Sequence, residues 1–248
     1  MRIGLLADLH ANREAVEACL EALARAGCER LVFLGDYVGY GADPAWVLDT
    51  LRARVAEGAV AVLGNHDAAV DDPSASGMHA QARAAIDWTR GQLDDEQRRF
   101  LRALPLQAED DDRVYVHANP SNPAGWGYVA SLLAARRALA DAPQRLSFVG
   151  HVHEPALYYD RPGEGVAAHF QPQPGTAIPL LSSRRWLAVV GACGQPRDGN
   201  PAASCAWLET GTGRLTYLRV PYDCERAAAK IRAAGLPDAF ALRLLEGT

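Results

Sequence analysis

The stretch LVFLGDYVGYGADP, Leu31 to Pro44, decides how the chain is read. An apolar run of strand formers stops at Gly35-Asp36, and two more glycines and a proline follow within the quoted stretch. Asp36 either caps a strand that turns or binds something at its end. Working outward, Arg2 to Ala7 and Ala59 to Leu63 read as further strands, while Arg13 to Ala26 and Ala45 to Glu57 carry helical periodicity. Strand and helix alternating with short connections predict parallel strands joined by crossover helices.

Beyond this unit, Ala80 to Leu93 and Asp95 to Ala103 predict two helices in an all-α insertion spanning about 77–104. Strand character resumes over Pro105 to Ala118, a helix is predicted from Tyr128 to Ala140, and Leu146 to Gly150 reads as another strand. After Pro155 come short β segments, Leu157 to Asp160, Val166 to Gln171, Trp186 to Val190, Cys205 to Glu209 and Arg214 to Val220, punctuated by Gly and Pro. They predict an antiparallel sheet packed on the earlier one. A C-terminal helical segment follows over about 223–246. With no repeat and no long linker, one domain over 1–248 is expected.

Composition narrows the function classes. Hydrophobic residues are 49% and charged residues 22% of the 248, the balance of a soluble globular chain. No apolar run reaches the roughly 18 to 20 residues of a membrane span, and Met1-Arg2 leads directly into a strand, so a cytoplasmic protein is expected. A net charge of -5 argues against broad binding to nucleic acid or anionic lipid, and an acidic substrate must meet a local positive feature. The five cysteines are widely spaced without a Cys-x-x-Cys pair, which signals neither a disulfide framework nor a thiolate metal site. Oligomeric state has no signature.

Five places share one design, in which an apolar strand ends and Asp, His or Asn follows. They are GLLADLHAN (Asp8, His10), VFLGDYVG (Asp36), AVLGNHDA (Asn65, His66, Asp67), VYVHANP (His117) and SFVGHVHEP (His151, His153). Ligands of α/β proteins sit at the C-terminal ends of parallel strands, so the five fragments can converge. In extended backbone, residues i and i+2 point the same way, which pairs Asp8 with His10 and His151 with His153. Taken singly most of the signals are weak: Asp8 could start a turn, Asn12 could cap the helix at Arg13, and a lone His117 fits a core, whereas the paired histidines of GHVH have few structural uses and point to a metal. Jointly they are strong, because only His79 and His169 among the histidines fall outside the set. Carboxylate, imidazole and amide without thiolate suit Mn, Fe or Zn. The seven side chains other than His66 and Asp67 would fill two sites sharing one carboxylate. Two such ions clamp a phosphoryl group and make hydroxide available near neutral pH.

In this order the motifs resemble the calcineurin-like metallophosphoesterase superfamily, whose pattern runs D-x-H, GD-x-x-D, GNH-(D/E), H, GH-x-H. QPRD at Gln195 to Asp198 and VPYD at Val220 to Asp223 resemble a bacterial single-domain branch. The resemblance implies an α/β fold of four layers, an αββα sandwich of two mixed sheets flanked by helices. It implies two divalent ions (Mn, Fe, Zn or Ni), one held by Asp8, His10, Asp36 and His153, the other by Asp36, Asn65, His117 and His151. His66 would stand near the phosphate, stabilising developing charge and protonating the leaving oxygen, with Asp67 an orienting partner. Gly39 and Tyr40 depart from the protein-phosphatase branch, which carries Asp and Arg there. The second Asp usually orients the catalytic histidine. Arg13, Tyr40 and Arg197 are weak substrate-binding candidates, and Arg184 and Arg185 further phosphate candidates, although most such arginines simply face solvent.

The expected activity is therefore hydrolysis of a phosphoester, foremost a small phosphodiester such as a cyclic nucleotide or dinucleoside polyphosphate, by hydroxide held on two metals. A protein or phosphomonoester phosphatase is the alternative within that class, and a metal-binding scaffold without turnover the alternative outside it. His66, which a scaffold need not keep, favours the enzyme. Trp126 and Tyr128, shortly after His117, could stack a nucleobase or simply pack in the core.

Overall fold

A computed structural model describes residues 1–72, 78–160 and 168–248. The expected starts of the helical insertion at 77 and of a strand at Val166 lie outside the described residues. The first unit is β1 (Arg2–Leu6), α1 (Arg13–Arg25), β2 (Arg30–Phe33), α2 (Pro44–Ala56) and the two-residue β3 (Val60–Ala61). β1, β2 and β3 are parallel, with Leu5 opposite Val32 and Phe33 opposite Ala61. Asn12 caps α1, its side chain accepting from Ala15 N at 3.1 Å.

Next come α3 (Asn65–Ala69), α4 (Ala80–Gln92), α5 (Asp95–Ala103), the hairpin β4 (Gln107–Asp110) and β5 (Arg113–Val116), α6 (Leu132–Asp141) and β6 (Leu146–Val149). The helix expected from Tyr128 starts only at Leu132, because Ser131 caps it by accepting from Ala134 N. The remaining elements are β7 (Ala156–Asp160), β8 (Ala168–Phe170), β9 (Ala177–Pro179), β10 (Arg185–Val189), β11 (Ala203–Glu209), β12 (Arg214–Val220), α7 (Cys224–Ala233) and α8 (Asp238–Glu246).

The strands form two mixed six-stranded sheets, ordered β3-β2-β1-β11-β12-β9 and β4-β5-β6-β10-β7-β8. The late strands thus do not make a sheet of their own, as their spacing suggested. β1 and β6 each leave an edge whose backbone groups need partners. β11 closes the first edge antiparallel, and β10 joins the second parallel to β6.

Alternation along the strands sorts the layers. Ile3, Leu5, Val32 and Leu34 meet Tyr115, Leu146, Phe148 and Trp186 between the sheets. Leu6 and Phe33 point the other way, onto α1 and α2 through Val16, Cys19, Val47 and Leu48. Val114 and Val116 pack on Ala135, Ala138 and Leu139 of α6. The result is the expected αββα sandwich. At its end α7 and α8 pack with Ala82 and Ala85 of α4 around Tyr40. No helix among the described residues is long and apolar enough to cross a membrane.

Candidate metal centre

Every expected ligand lies just beyond the C-terminal end of a strand: Asp8 and His10 after β1, Asp36 after β2, Asn65 after β3, His117 after β5, His151 and His153 after β6. The two sheets present these ends to one place. Asp8, His10 and His153 form one group of potential metal ligands and Asp36, His117 and His151 another, with His10, Asp36 and His66 a third. Seven of these side chains, His66 included, are at most 6% exposed. Asn65 joins the second group, its Oδ1 3.1 Å from His117 Nε2.

Getting a strand to drop a side chain into this space takes unusual backbone. Asp8, His10, Asp36, His151 and His153 all have φ between 45° and 67°, a left-handed conformation that non-glycine residues seldom adopt. Hydrogen bonds over-determine it: His10 N donates to Asp36 O (2.9 Å) and Gly150 N to His117 O (2.8 Å). His151 N donates to both oxygens of Asp8, at 3.0 and 3.1 Å, joining the two sheets.

The ring orientations test whether a metal fits. His10 Nδ1 lies 3.1 Å from Val38 O and His153 Nδ1 2.6 Å from Gln195 O. A carbonyl only accepts, so both Nδ1 atoms carry the proton and both Nε2 lone pairs are bare. Those two Nε2 atoms face each other at 3.1 Å. Burial holds both imidazoles well below their ordinary range, so a shared proton is no remedy. A divalent cation is, since two ligands on one ion with bonds of about 2.1 Å can lie this close.

The second group has the same logic. His117 Nδ1 faces Leu34 O at 2.7 Å, and its Nε2 meets His151 Nδ1 at 3.1 Å and Asp36 Oδ2 at 3.4 Å. The protein's own charges balance there by protonating His117: burial opposes this, the Asp36 carboxylate outweighs it, and the group is pushed up to about 9. Burial likewise pushes the Asp8 carboxyl up to about 8. Two cations would meet both needs, and Asp36 Oδ2 lies 3.4 Å from His117 Nε2 and 3.8 Å from His10 Nε2.

Asp67 does something other than expected. Among the described residues neither of its oxygens hydrogen-bonds the His66 ring. Its Oδ2 accepts from Asp36 N (2.8 Å) and Gly64 N (3.0 Å), and its Oδ1 from Tyr37 N (2.8 Å) and Val38 N (3.3 Å). Asp67 is therefore a knot holding the Asp36 loop against the Asn65 turn. Asp67→Asn replaces an acceptor by a donor facing these amides, and a loss of about 2 to 4 kcal/mol of stability is expected from urea unfolding. An unchanged unfolding midpoint would contradict the knot.

Among the described residues no carboxylate hydrogen-bonds the His66 ring, the nearest being Asp36 Oδ2 at 4.0 Å from Nε2, and packing holds the ring. It lies 4.6 Å from the Tyr40 ring and 4.8 Å, edge-on, from His10. A Cβ on Gly39, whose φ is 84°, would overlap His66 Nδ1. The space that a side chain at residue 39 would enter is thus taken by the histidine ring. His66 Nδ1 is buried without a hydrogen-bond partner among the described residues. Burial pushes the group down to about 4, so it is a neutral imidazole near pH 7.

The arginine candidates separate. Arg13 pairs with Glu17 (2.9 Å) and lies over Trp46. Arg184 stacks on Tyr159 and Arg185 pairs with Asp160, at the start of β10 and away from its site end. Tyr40 is 5% exposed, packed between His10, His66 and Phe240, and offers no free face. Arg197 remains. It leaves β10's site end and lies 5.7 Å from the centre of the Tyr40 ring, where its charge bears on Asp8, His10, His66 and His153. Its Nη2 donates to Gln195 Oε1 at 2.9 Å. Residue types did not reveal the backbone carbonyls of Leu34, Val38 and Gln195 that aim three of the imidazoles, because a carbonyl is the same on every residue.

Strand ends from two sandwiched sheets, carrying buried aspartates and imidazoles with no thiolate, define a metal-dependent phosphoesterase fold. The chain belongs to the calcineurin-like phosphoesterase superfamily, whose domain model matches residues 1–213. A metallophosphoesterase from Sphaerobacter thermophilus is similar in structure, with a TM-score of 0.88 and 37% identity over 100% of this chain and 99% of that one. The uncharacterized protein MJ0912 of Methanocaldococcus jannaschii is 31% identical over 99% of this chain and 98% of its own. Phosphodiesterase YfcE of Escherichia coli is 30% identical over 48% of this chain and 70% of its own.

Proposed function

We propose that the protein hydrolyses a small phosphodiester with the help of two divalent cations. One observation carries this reading: seven Asp, His and Asn side chains converge from five strand ends, Asp8, His10 and His153 in one group and Asn65, His117 and His151 in another, with Asp36 Oδ2 3.8 Å from His10 Nε2 and 3.4 Å from His117 Nε2. Asp8, His10, Asp36 and His153 would hold one cation, and Asp36, Asn65, His117 and His151 the other. Bound there, the cations would polarise the phosphoryl oxygens and make a water nucleophilic near neutral pH.

The chain's own residues do the rest. Arg197 receives the phosphoryl oxygens, since its guanidinium has no carboxylate partner among the described residues and faces the cluster. His66, neutral at pH 7, donates an N–H hydrogen bond to the charge that develops on the transferred group. Tyr40, His10 and the bare Gly39 hold that ring by packing. The similarity to YfcE, named a phosphodiesterase, supports a diester substrate. So does Gly39-Tyr40 standing where protein phosphatases carry Asp and Arg.

The test is turnover of bis-p-nitrophenyl phosphate and p-nitrophenyl phosphate by protein loaded with Mn²⁺, Fe²⁺, Ni²⁺ or Zn²⁺. Metal-dependent hydrolysis favouring the diester is expected. No turnover in protein shown to hold two ions would leave a metal-binding scaffold, and preference for the monoester would favour a phosphatase.

A further inference from the structure

One wall of the site has no task in this scheme. The loop between His117 and α6 is braced: Asn119 Oδ1 accepts from Ser121 N at 3.0 Å, Trp126 takes a left-handed φ of 51°, and Ser131 caps α6. Trp126 lies 6.0 Å from His117, edge-on. Tyr128 lies flat against His151, centroids 4.1 Å apart and planes 21° apart. One face of the Tyr128 ring is thus fixed on a group that would hold metal. Yet the residue is 58% exposed, so the other face is open to solvent. It is not a core residue.

A rigid aromatic face held open beside a phosphoryl-binding centre has a physical use. Every nucleobase has a π-face, and stacking on an exposed tyrosine covers apolar area on both partners without ordering a mobile side chain. Tyr40 cannot serve, since both its faces are packed. Arg197 and Tyr128 would then grip different parts of one molecule, phosphate and base.

We propose that Tyr128 is the stacking platform for a base carried by the substrate, which makes that substrate a phosphoester of a nucleoside rather than of an aliphatic alcohol. This rests on the phosphoesterase reading, and the test is arranged so that the two can fail separately. Calorimetry on Mn²⁺-loaded protein compares AMP with ribose 5-phosphate, which carry the same phosphate with and without a base. AMP is expected to bind at least about fivefold more tightly. In Tyr128→Ala the two affinities converge, while Tyr128→Trp keeps the difference, both variants being checked for two bound ions. Equal affinities in the wild type, or a base preference that survives in Tyr128→Ala, would overturn the proposal. A base preference abolished by Tyr128→Ala in a protein that turns over no phosphoester would uphold the platform and sink the enzyme reading alone.

Discussion

Replacing Asp36 by alanine is expected to remove metal-induced thermal stabilisation and to lower kcat/KM by about a thousandfold or more, some 4 kcal/mol of barrier. The size of the effect follows from position. Asp36 belongs to two of the three ligand groups, its Oδ2 lying 3.4 Å from His117 Nε2 and 3.8 Å from His10 Nε2. Its Oδ1 also accepts the His66 backbone N–H at 2.8 Å, at the start of α3. One substitution therefore withdraws a ligand from both proposed cations and loosens the turn that carries Asn65 and His66. Metal analysis and a thermal-shift titration with Mn²⁺ give the readout. If Asp36→Ala still bound two ions, the shared-carboxylate assignment would be wrong.

His66→Ala is expected to behave in the opposite way, keeping both ions while losing about a hundred- to a thousandfold in kcat, the usual cost of removing one donor to developing charge. His66 Nε2 is 4.0 Å from Asp36 Oδ2, farther than the His117 ring, and each proposed group is complete without it. Because burial keeps this imidazole neutral near pH 7, the loss should be similar for p-nitrophenyl and alkyl leaving groups. A loss confined to alkyl leaving groups would restore the proton-donor role that the motif first suggested. Loss of a metal ion would instead make His66 a ligand, as its place in the third group allows. Gly39 bears on the same ring: with no Cβ it leaves room for Nδ1, so the kinetic role of His66 and the absence of the second Asp are parts of one arrangement.

Much of the site was legible because its information is local. Each candidate ligand follows its own apolar strand within a few residues, and the rule that ligands gather at the C-terminal ends of parallel strands brings together fragments as distant as Asp8 and His153. The α1 cap at Asn12 and the α5 bounds were equally local. Asp67 shows what such local reading leaves out. Next to His66 in sequence it looked like that residue's partner, whereas its oxygens reach across to Asp36, Tyr37 and Val38.

The sequence by itself determined the candidate ligand types, their order, the β1-α1-β2-α2-β3 unit and the family resemblance, because these depend on residue identity and short-range periodicity. Only the tertiary structure decided how the late strands divide between two sheets, what aims each imidazole and what holds His66. Strand pairing is chosen by which edges remain open once the first strands have paired. The imidazoles are aimed by carbonyls that no residue type announces. His66 is held by rings and a missing Cβ contributed from other segments, and such packing exists only when residues 39, 40, 66 and 240 have been brought together.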